Sequence, residues 1–209
     1  MSAQPKASVS GIILAGGRSR RLGTDKAFLP LFGEPLVARI ARTLAALSDD
    51  LIVVTNEPAK YAPLGLAARL VPDDRPGLGS LMGIYSGLKQ ARHPHALVVA
   101  CDMPFLSPAL LRYLAALADG YDVVIPEIDG LHEPLHAVYG IGCLEPMARL
   151  LAAAEHKILA LFPQVRVRTV GRSEIEALDP EHRSFLNVNS PEDWERVQGM
   201  LSTGSCSPR

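Results

Sequence analysis

The sequence predicts a three-layer α/β fold, in which helices cover both faces of a mainly parallel β-sheet. Short apolar segments alternate with segments of helical periodicity, as they do in β-α-β units. The apolar segments lack the polar alternation of half-exposed strands, so strands buried on both faces are expected. No linker interrupts the middle of the 209-residue chain. One domain over residues 9–201 is therefore predicted, with disordered ends at residues 1–8 and 202–209.

Individual elements follow from the same patterns. Three apolar segments, too short for helices, are predicted strands at residues 11–15, 51–55 and 96–100, with further candidates at 123–126, 137–139 and 165–170. Helices are predicted at residues 34–47, with apolar side chains on one face, and at residues 80–91. Ser107 and Ser190 each precede a proline, which is typical of an N-cap followed by the first helical position. They predict helices ending near Ala118 and Leu201.

Composition excludes several classes of protein. A net charge of −1 argues against bulk nucleic-acid binding. No segment has the 18 or so apolar residues that span a bilayer, and the N-terminus lacks the apolar stretch of a signal peptide. The three cysteines are odd in number and lack metal-ligand spacing. These observations predict a cytoplasmic protein in a reducing compartment, with neither nucleic-acid nor membrane partners.

The first predicted strand leads into a glycine- and arginine-rich segment, LAGGRSRRLGTDK, at residues 14–26. Glycines bring backbone N–H groups close to phosphate oxygens. Arg21 and Lys26 are suited to neutralise a triphosphate. The segment has neither the GxxxxGK[ST] nor the GxGxxG pattern. The structural alternative, a surface loop with solvated arginines, explains less, because the segment directly follows a buried strand.

Carboxylate and amide side chains follow the other central strands. Asp102 comes directly after the strand at 96–100 and precedes Met103-Pro104, so it is predicted to hold Mg²⁺ rather than to cap the next helix. Asn56 follows the strand at 51–55 and could read a base or ribose, although such residues are more often turn formers. Asp73 lies in the segment VPDDRPGLGSLMG, where a carboxylate could accept the N–H groups of guanine. Cys101 is interpreted as a small buried strand residue.

Here the sequence shows a specific resemblance. LAGGRSRRLGTDKA, followed by LxGEPL, resembles the signature of molybdenum cofactor guanylyltransferases of the MobA family, over about Ser10 to Val197. The Gly-Gly pair and Asp25-Lys26 resemble the guanylyl branch more than the cytidylyl branch, where Ala-Gly is usual. The resemblance implies a Rossmann-like nucleotidyltransferase fold. It also implies Mg²⁺-dependent transfer of GMP from GTP to Mo-molybdopterin, which releases pyrophosphate and forms molybdopterin guanine dinucleotide.

The resemblance also implies site residues. Arg21, Lys26 and Asp102 are the expected catalytic residues, with Asp102 as the metal ligand. Nucleotide or cofactor binding is expected of Leu14, Ala15, Gly16, Gly17, Lys26, Asn56, Asp73, Asp102, Asn187 and Asn189. Asp73 is preferred over Asp74 on the alignment of Val-Pro-Asp alone, and Ser80 stands where the family usually has proline.

Two further segments match the family at the acceptor side. HEPLHAVY, at residues 132–139, matches EPLxAxY, and Glu133 and Pro134 are expected to shape the acceptor end of the cleft. His132 and His136 are interpreted as polar residues at a strand edge, because the intervening proline disfavours a helical zinc pair. FLNVNSPED, at residues 185–193, matches NxNxPxD, although its asparagines could instead serve the turn and cap of the last helix.

Several alternatives stay open from the sequence. A sister enzyme could use CTP on the same cofactor, or another NTP on a sugar or alcohol phosphate. A non-catalytic nucleotide-binding regulator and an interaction scaffold are the alternatives from other classes, and the scaffold leaves both glycine loops unexplained. The implied partners are GTP and Mo-molybdopterin as substrates, with molybdoenzyme chaperones or other cofactor-biosynthesis proteins as further candidates.

Overall fold

The computed structural model describes residues 8–16 and 25–202. The described strands are β1 (Ser10–Leu14), β2 (Pro30–Leu31), β3 (Glu34–Pro35), β4 (Leu51–Val54), β5 (Arg69–Val71), β6 (His95–Ala100), β7 (Val123–Ile128), β8 (Leu131–His132), β9 (His136–Gly140) and β10 (Val167–Val170). The α-helices are α1 (Leu36–Ala45), α2 (Pro58–Tyr61), α3 (Gly79–Gln90), α4 (Pro108–Ala116), α5 (Leu144–Ala152), α6 (Arg172–Glu176) and α7 (Pro191–Ser202). Their arrangement confirms the predicted three-layer α/β fold.

An eight-stranded sheet forms the middle layer, with strand order β10-β7-β9-β6-β1-β4-β5 and β8 paired to β7. The central strand β1 is parallel to β4 and β6, and β5 extends the parallel set. Among the described strands of the main order, β9 alone is antiparallel to both of its neighbours, β6 and β7. The parallel strands therefore end at one shared edge, which we call the carboxyl edge. Ligands of open α/β sheets bind beyond such an edge.

Two apolar clusters flank the sheet and explain why its strands lack polar alternation. Ile13 belongs to the cluster that contains residues of α1, α4 and α7. Its neighbour Ile12 belongs to the other cluster, with residues of α3 and α5. Both isoleucines have no exposed surface. Full burial of one such side chain contributes about 1.5–3 kcal/mol, so both faces of the central strand stabilise the fold.

Both predicted serine caps are confirmed. Ser107 Oγ accepts a hydrogen bond from the Leu110 N–H at 3.3 Å. Ser190 Oγ accepts one from the Asp193 N–H at 3.2 Å. The helices that follow begin at Pro108 and Pro191, as the N-cap pattern predicts.

The predicted helix at residues 34–47 begins later than expected, at Leu36. Glu34 and Pro35 instead pair with Pro30 and Leu31 in a two-residue hairpin. Phe32 and Gly33 form its turn with φ of 53° and 80°, the left-handed values that tight hairpins require. The chain therefore turns and forms two short strands before the helix begins.

Several described elements were not predicted, among them β5 and α5. Strand β5 consists of only three residues, Arg69-Leu70-Val71, and all of them are half-buried. A segment this short shows no clear periodicity. Helix α5 does carry a signal, since Met147 and Leu151 are buried at a spacing of four residues. None of the described helices has both the length and the apolar character needed to cross a bilayer.

Candidate active site

A cleft of about 1010 Å³ lies at the carboxyl edge, over the ends of β1, β4 and β6. This volume is at the upper end of the range typical of small-molecule sites. Polar side chains predicted from the sequence line both of its ends: Lys26 and Asp102 at one, Asn56 and Asp73 at the other. The fold thus brings together residues that are up to 76 positions apart in the chain.

A lysine lies between two oxygen-bearing side chains at the first end. Lys26 Nζ donates to Asp102 Oδ2 at 3.1 Å and to Asn189 Oδ1 at 2.6 Å. The side chains of Lys26 and Asp102 are 17% and 18% exposed, so this ion pair is partly shielded from water yet open to the cleft. Partial shielding strengthens the interaction of such charges with an anionic ligand.

Lys26 is positioned by its own short helix. Asp25 caps the 3₁₀ turn Lys26–Phe28 by accepting the Ala27 N–H at 3.2 Å, and Ala27 is fully buried beneath it. The Phe28 ring packs against Tyr61, with 5.0 Å between ring centroids. Tyr61 also donates to the Ala15 carbonyl oxygen at 2.9 Å, which fixes the end of β1. No sequence pattern indicated this role of Tyr61.

The segment that bears Asn189 is joined to Asp102 through the backbone. The Val188 N–H donates to the Asp102 carbonyl at 3.0 Å. The Asp193 carboxylate accepts the Asn189 N–H at 2.8 Å, and backbone hydrogen bonding, first of all from Asn189, lowers its pKa. Asn187 differs from Asn189, because its amide donates back to the Phe185 carbonyl. Of the two asparagines, Asn189 is therefore the one that contacts the lysine of the Lys26–Asp102 pair.

The other end of the cleft contains an amide–carboxylate pair. Asn56 Nδ2 donates to Asp73 Oδ2 at 2.7 Å, and the Asp73 N–H donates to Asn56 Oδ1 at 3.0 Å. The second carboxylate oxygen, Asp73 Oδ1, is buried and has no hydrogen-bond partner among the described residues. Asp74 lies outside the cleft lining and pairs with Lys89. The structure thus places Asp73, and not Asp74, in the cleft.

The predicted loop residues have different positions. Leu14 and Gly16 line the cleft. Ala15 does not, and its backbone is engaged within the protein, since its N–H donates to the Val54 carbonyl at 2.9 Å and its own carbonyl accepts from Tyr61. Gly17 and Arg21 lie outside the described residues.

The glycine-rich segment that follows Asp73 requires glycine at several positions for its backbone conformation and packing. Gly77 and Gly79 have φ of 89° and 76°, left-handed values that favour glycine. A side chain on Gly83 would place its Cβ 3.3 Å from a Leu14 methyl carbon and 3.6 Å from Asp73 Oδ1. Gly83 therefore lets helix α3 approach the end of β1 closely.

The interpretation of Cys101 as a buried strand residue is wrong, because β6 ends at Ala100 and Cys101 is only partly buried and lines the cleft. Burial raises the pKa of its thiol well above the ordinary value. The side chain stays protonated near neutral pH and is a poor nucleophile there.

The interpretation of His136 as a polar residue at a strand edge is wrong. Strand β9 lies between β6 and β7, so the His136 ring has no exposed surface and packs against Phe185 at 5.0 Å between centroids. Burial lowers its pKa to about 3, so the imidazole is neutral at pH 7. His132 on the short strand β8 instead contacts Glu127 at 3.0 Å. Burial raises the pKa of Glu133.

The donor atoms in the cleft fit a magnesium ion better than a zinc ion. Within residues 8–16 and 25–202, no group of three or more His, Cys, Asp or Glu side chains could hold a metal. The Asp102 carboxylate, which lines the cleft, and the Asn189 amide oxygen, which contacts Lys26 without being part of the cleft lining, are hard oxygen donors. Mg²⁺ commonly takes one or two carboxylates and completes its shell with phosphate oxygens and water.

Comparison with known proteins agrees with this geometry. Residues 11–168 match the family model described as a MobA-like NTP transferase domain. The molybdenum cofactor guanylyltransferase of Desulfosudis oleivorans is 40% identical over 202 residues, which cover 96% of this chain and 99% of that protein. A probable molybdenum cofactor guanylyltransferase of Chloroflexus aggregans is 42% identical over 201 residues, covering 93% and 96% of the two chains.

A solved structure supports the same assignment. The crystal structure of molybdopterin-guanine dinucleotide biosynthesis protein A from Archaeoglobus fulgidus superimposes with a TM-score of 0.82 at 27% identity. The match covers 93% of this chain and 100% of that one. The family resemblance of the loop motifs is thereby confirmed: the chain belongs to the MobA-like NTP transferase family of nucleotidyltransferases.

Proposed function

We propose that this enzyme transfers GMP from GTP to Mo-molybdopterin, releasing pyrophosphate and forming molybdopterin guanine dinucleotide. One observation carries the proposal: a single cleft has Lys26 between Asp102 and Asn189 at one end and the Asn56–Asp73 pair at the other. The first end suits phosphates and the second suits a nucleobase. The names of the curated relatives, molybdenum cofactor guanylyltransferase, point to the same substrates.

The nucleobase end favours guanine on hydrogen-bonding grounds. Guanine presents two adjacent donors, N1–H and the N2 amino group, and a carboxylate accepts both. Cytosine presents its amino group beside N3, and the lone pair of N3 repels a carboxylate. Asp73 Oδ1 is buried without a hydrogen-bond partner among the described residues, and an unpaired buried acceptor costs roughly 1–3 kcal/mol unless a ligand supplies a donor. A guanine edge supplies it.

The phosphate end is preorganised for charge. Lys26 is held by two oxygen groups before any ligand arrives, so little reorganisation is needed when phosphates bind. Gly16, Gly17 and Arg21 are proposed to complete the phosphate cradle. Asp102, with Asn189 beside it, is proposed to hold Mg²⁺, which when bound neutralises phosphate charge.

The chemistry needs no protein nucleophile. The terminal phosphate oxygen of the acceptor attacks the α-phosphorus of GTP, a new P–O bond forms, and the bond to the β-phosphate oxygen breaks as pyrophosphate leaves. Positioning and charge neutralisation dominate such transfers. The protonated Cys101 thiol is consistent with this direct route. Lys26 would stabilise the charge that develops on the phosphate oxygens.

The acceptor is proposed to bind on the β9 side of Asp102. The Ala100 N–H donates to the Leu135 carbonyl at 3.1 Å, which places the loop bearing Glu133 beside the end of β6. Glu133 and Asn187 are candidates for acceptor contacts on this side. Because the reaction consumes GTP, we place it in the cytoplasm, where chaperones of molybdoenzymes could receive the product.

The direct test is a turnover assay with purified protein, Mg²⁺ and Mo-molybdopterin. Dinucleotide product and pyrophosphate are measured with GTP, CTP and ATP as donors. We expect kcat/KM for GTP to exceed that for CTP by at least roughly 10²-fold, because CTP leaves the Asp73 acceptor unpaired. A preference for CTP, or turnover only with a sugar phosphate acceptor, would contradict the proposal. GTP binding without turnover would identify a non-catalytic regulator.

A further inference from the structure

The segment that carries Asp73 is held between two elements of the fold. On one side it meets Asn56, which follows the end of β4. On the other side Asp74, the next residue, meets helix α3 through Ser86 and Lys89. Asp73 is therefore held from two sides, directly by Asn56 and, through Asp74, by helix α3.

The Asn56 anchor uses both heteroatoms of the amide. Nδ2 donates to the Asp73 carboxylate and Oδ1 accepts the Asp73 backbone N–H. Only one orientation of the amide satisfies both contacts, so they fix the amide group as well as the carboxylate. Asn56 thus acts on Asp73 itself, although it was expected from the sequence to contact the nucleotide.

The Ser86 anchor is buried. Ser86 has no exposed surface, and its Oγ accepts the Asp74 N–H at 2.9 Å. The Lys89 ammonium pairs with the Asp74 carboxylate at 2.5 Å, one helical turn further along α3. The peptide unit that joins Asp73 to Asp74 is therefore tied to a rigid helix. Gly83 on the same helix lies close to Asp73 Oδ1. A shift of the peptide unit would therefore move the carboxylate relative to helix α3.

We propose that Asn56 and Ser86 are positioning residues that orient the Asp73 carboxylate toward the guanine edge, and so set the preference of the enzyme for GTP over ITP. The inference rests on the proposed function, in which Asp73 accepts the guanine donors. ITP lacks the N2 amino group and so loses one of the two contacts to the carboxylate. Misplacement of Asp73 removes the same contact from GTP, and ITP is affected less.

The test compares steady-state kinetics with GTP and ITP for Asn56→Ala, Ser86→Ala and Asp73→Asn. Both positioning variants should raise KM for GTP roughly 10-fold and keep kcat within about 2-fold, because binding rather than chemistry is affected. Their GTP-to-ITP ratio of kcat/KM should fall toward that of Asp73→Asn. Adding Ser86→Ala to Asp73→Asn should lower the ratio no further, because the contact is already lost.

Met82→Leu is the matched control. Met82 Sδ contacts Ser86 Oγ at 3.5 Å, and leucine keeps an apolar side chain there without touching the Asp74 contact. This variant should keep the wild-type ratio. If Ser86→Ala fails to fold, Asn56→Ala decides the question, since Asn56 is exposed.

Two results would overturn the inference and can be told apart. If Asp73→Asn lowers the GTP-to-ITP ratio while Asn56→Ala and Ser86→Ala leave it unchanged or lower turnover of both nucleotides equally, the positioning role is wrong and the proposed function stands. If the wild-type enzyme and Asp73→Asn share one ratio, Asp73 does not read guanine, and the proposed nucleobase contact fails together with the inference.

Discussion

The carboxyl edge and the opposite end of the parallel strands, the amino edge, use carboxylates in opposite ways. At the amino edge, Asp50 has every oxygen engaged: Ser10 Oγ and the Arg92 N–H donate to Oδ2 at 2.6 and 2.9 Å, and Arg69 donates to Oδ1 at 2.7 Å. At the carboxyl edge, Asp73 Oδ1 has no hydrogen-bond partner within residues 8–16 and 25–202, and Asp102 contacts a lysine that also lines the cleft.

This difference separates structural from ligand-binding carboxylates. Burial alone would raise the pKa of Asp50, but the hydrogen bonds from Ser10, Arg92 and Arg69 outweigh it, and the pKa is lowered. Its interactions are complete within the chain, so it stabilises the fold. At the carboxyl edge, the described part of the chain leaves a buried carboxylate oxygen without a donor, which is typical of a ligand-binding site. Substitutions at the two edges should therefore have separable effects.

The largest effect is expected at the carboxyl edge. Lys26→Ala should lower kcat/KM roughly 10³-fold, because it removes a preorganised charge beside the phosphates. The free energy of unfolding should change by less than about 1 kcal/mol. The Lys26–Asp102 pair is open to the cleft, so water can solvate Asp102 once the lysine is removed. Turnover assays and urea denaturation measure the two quantities. Lys60→Ala, which removes an exposed lysine paired to Glu57, should change neither. Equal losses of activity and stability in Lys26→Ala would contradict the proposed role.

At the amino edge the effects should be reversed. Asp50→Ala should lower the free energy of unfolding by about 3–5 kcal/mol, because it leaves Arg69 and buried donors without their partner. The kcat of the protein that remains folded should be unchanged. Asp49→Ala is the matched control, since the Asp49 side chain is 67% exposed. A large fall in kcat with unchanged stability would show that Asp50 serves the site instead.

Asp50 and His136 should affect the free energy of unfolding in different pH ranges. His136 has a folded-state pKa of about 3, below the ordinary value of about 6.5. As pH falls below about 6.5, the unfolded chain takes up a proton that the folded chain excludes, so stability falls. Between pH 7 and pH 5 this loss amounts to about 2 kcal/mol. The lowered pKa of Asp50 acts only at more acidic pH, since its contribution is lost as pH falls from the unfolded pKa of about 3.9 through the folded value.

The check is a urea-denaturation series at pH 7, 6 and 5 on the wild type and on His136→Leu. The variant should lose less stability than the wild type over this interval. Identical pH slopes would show that His136 is protonated, or accessible to water, in the folded state.

The smallest effect is expected at Cys101. Cys101→Ala should keep kcat within about 3-fold, because a thiol of raised pKa supplies no thiolate at neutral pH. Ser or Ala at this position also leaves the Asp102 carboxylate in place. A loss comparable to that of Lys26→Ala would point to covalent catalysis and contradict direct attack by the acceptor.

The sequence predicted the residues that directly follow the central strands. Asp102 and Asn56 could be located because a buried strand ends just before each of them, and parallel strands end at one edge. Asp73 was located through the family pattern rather than through strand β5, which is too short to recognise. The fold class followed from the same apolar segments.

Contacts between distant side chains could not be predicted. The pairing of Asn56 with Asp73, the hydrogen bond from Tyr61 to Ala15 and the position of Ser86 depend on how loops and helices pack, and no local pattern encodes them. His136 was misjudged because strand order decides whether a strand is internal, and β9 enters the sheet between β6 and β7.

The most direct measurement of the central proposal is a crystal structure with a non-hydrolysable GTP analogue and Mg²⁺. The guanine edge should lie within hydrogen-bonding distance of Asp73, with the phosphates beside Lys26 and Mg²⁺ at Asp102. A nucleotide bound instead in the cavity of about 550 Å³ at the amino edge, lined by His95 and Arg112, would contradict the assignment of the carboxyl-edge cleft as the active site.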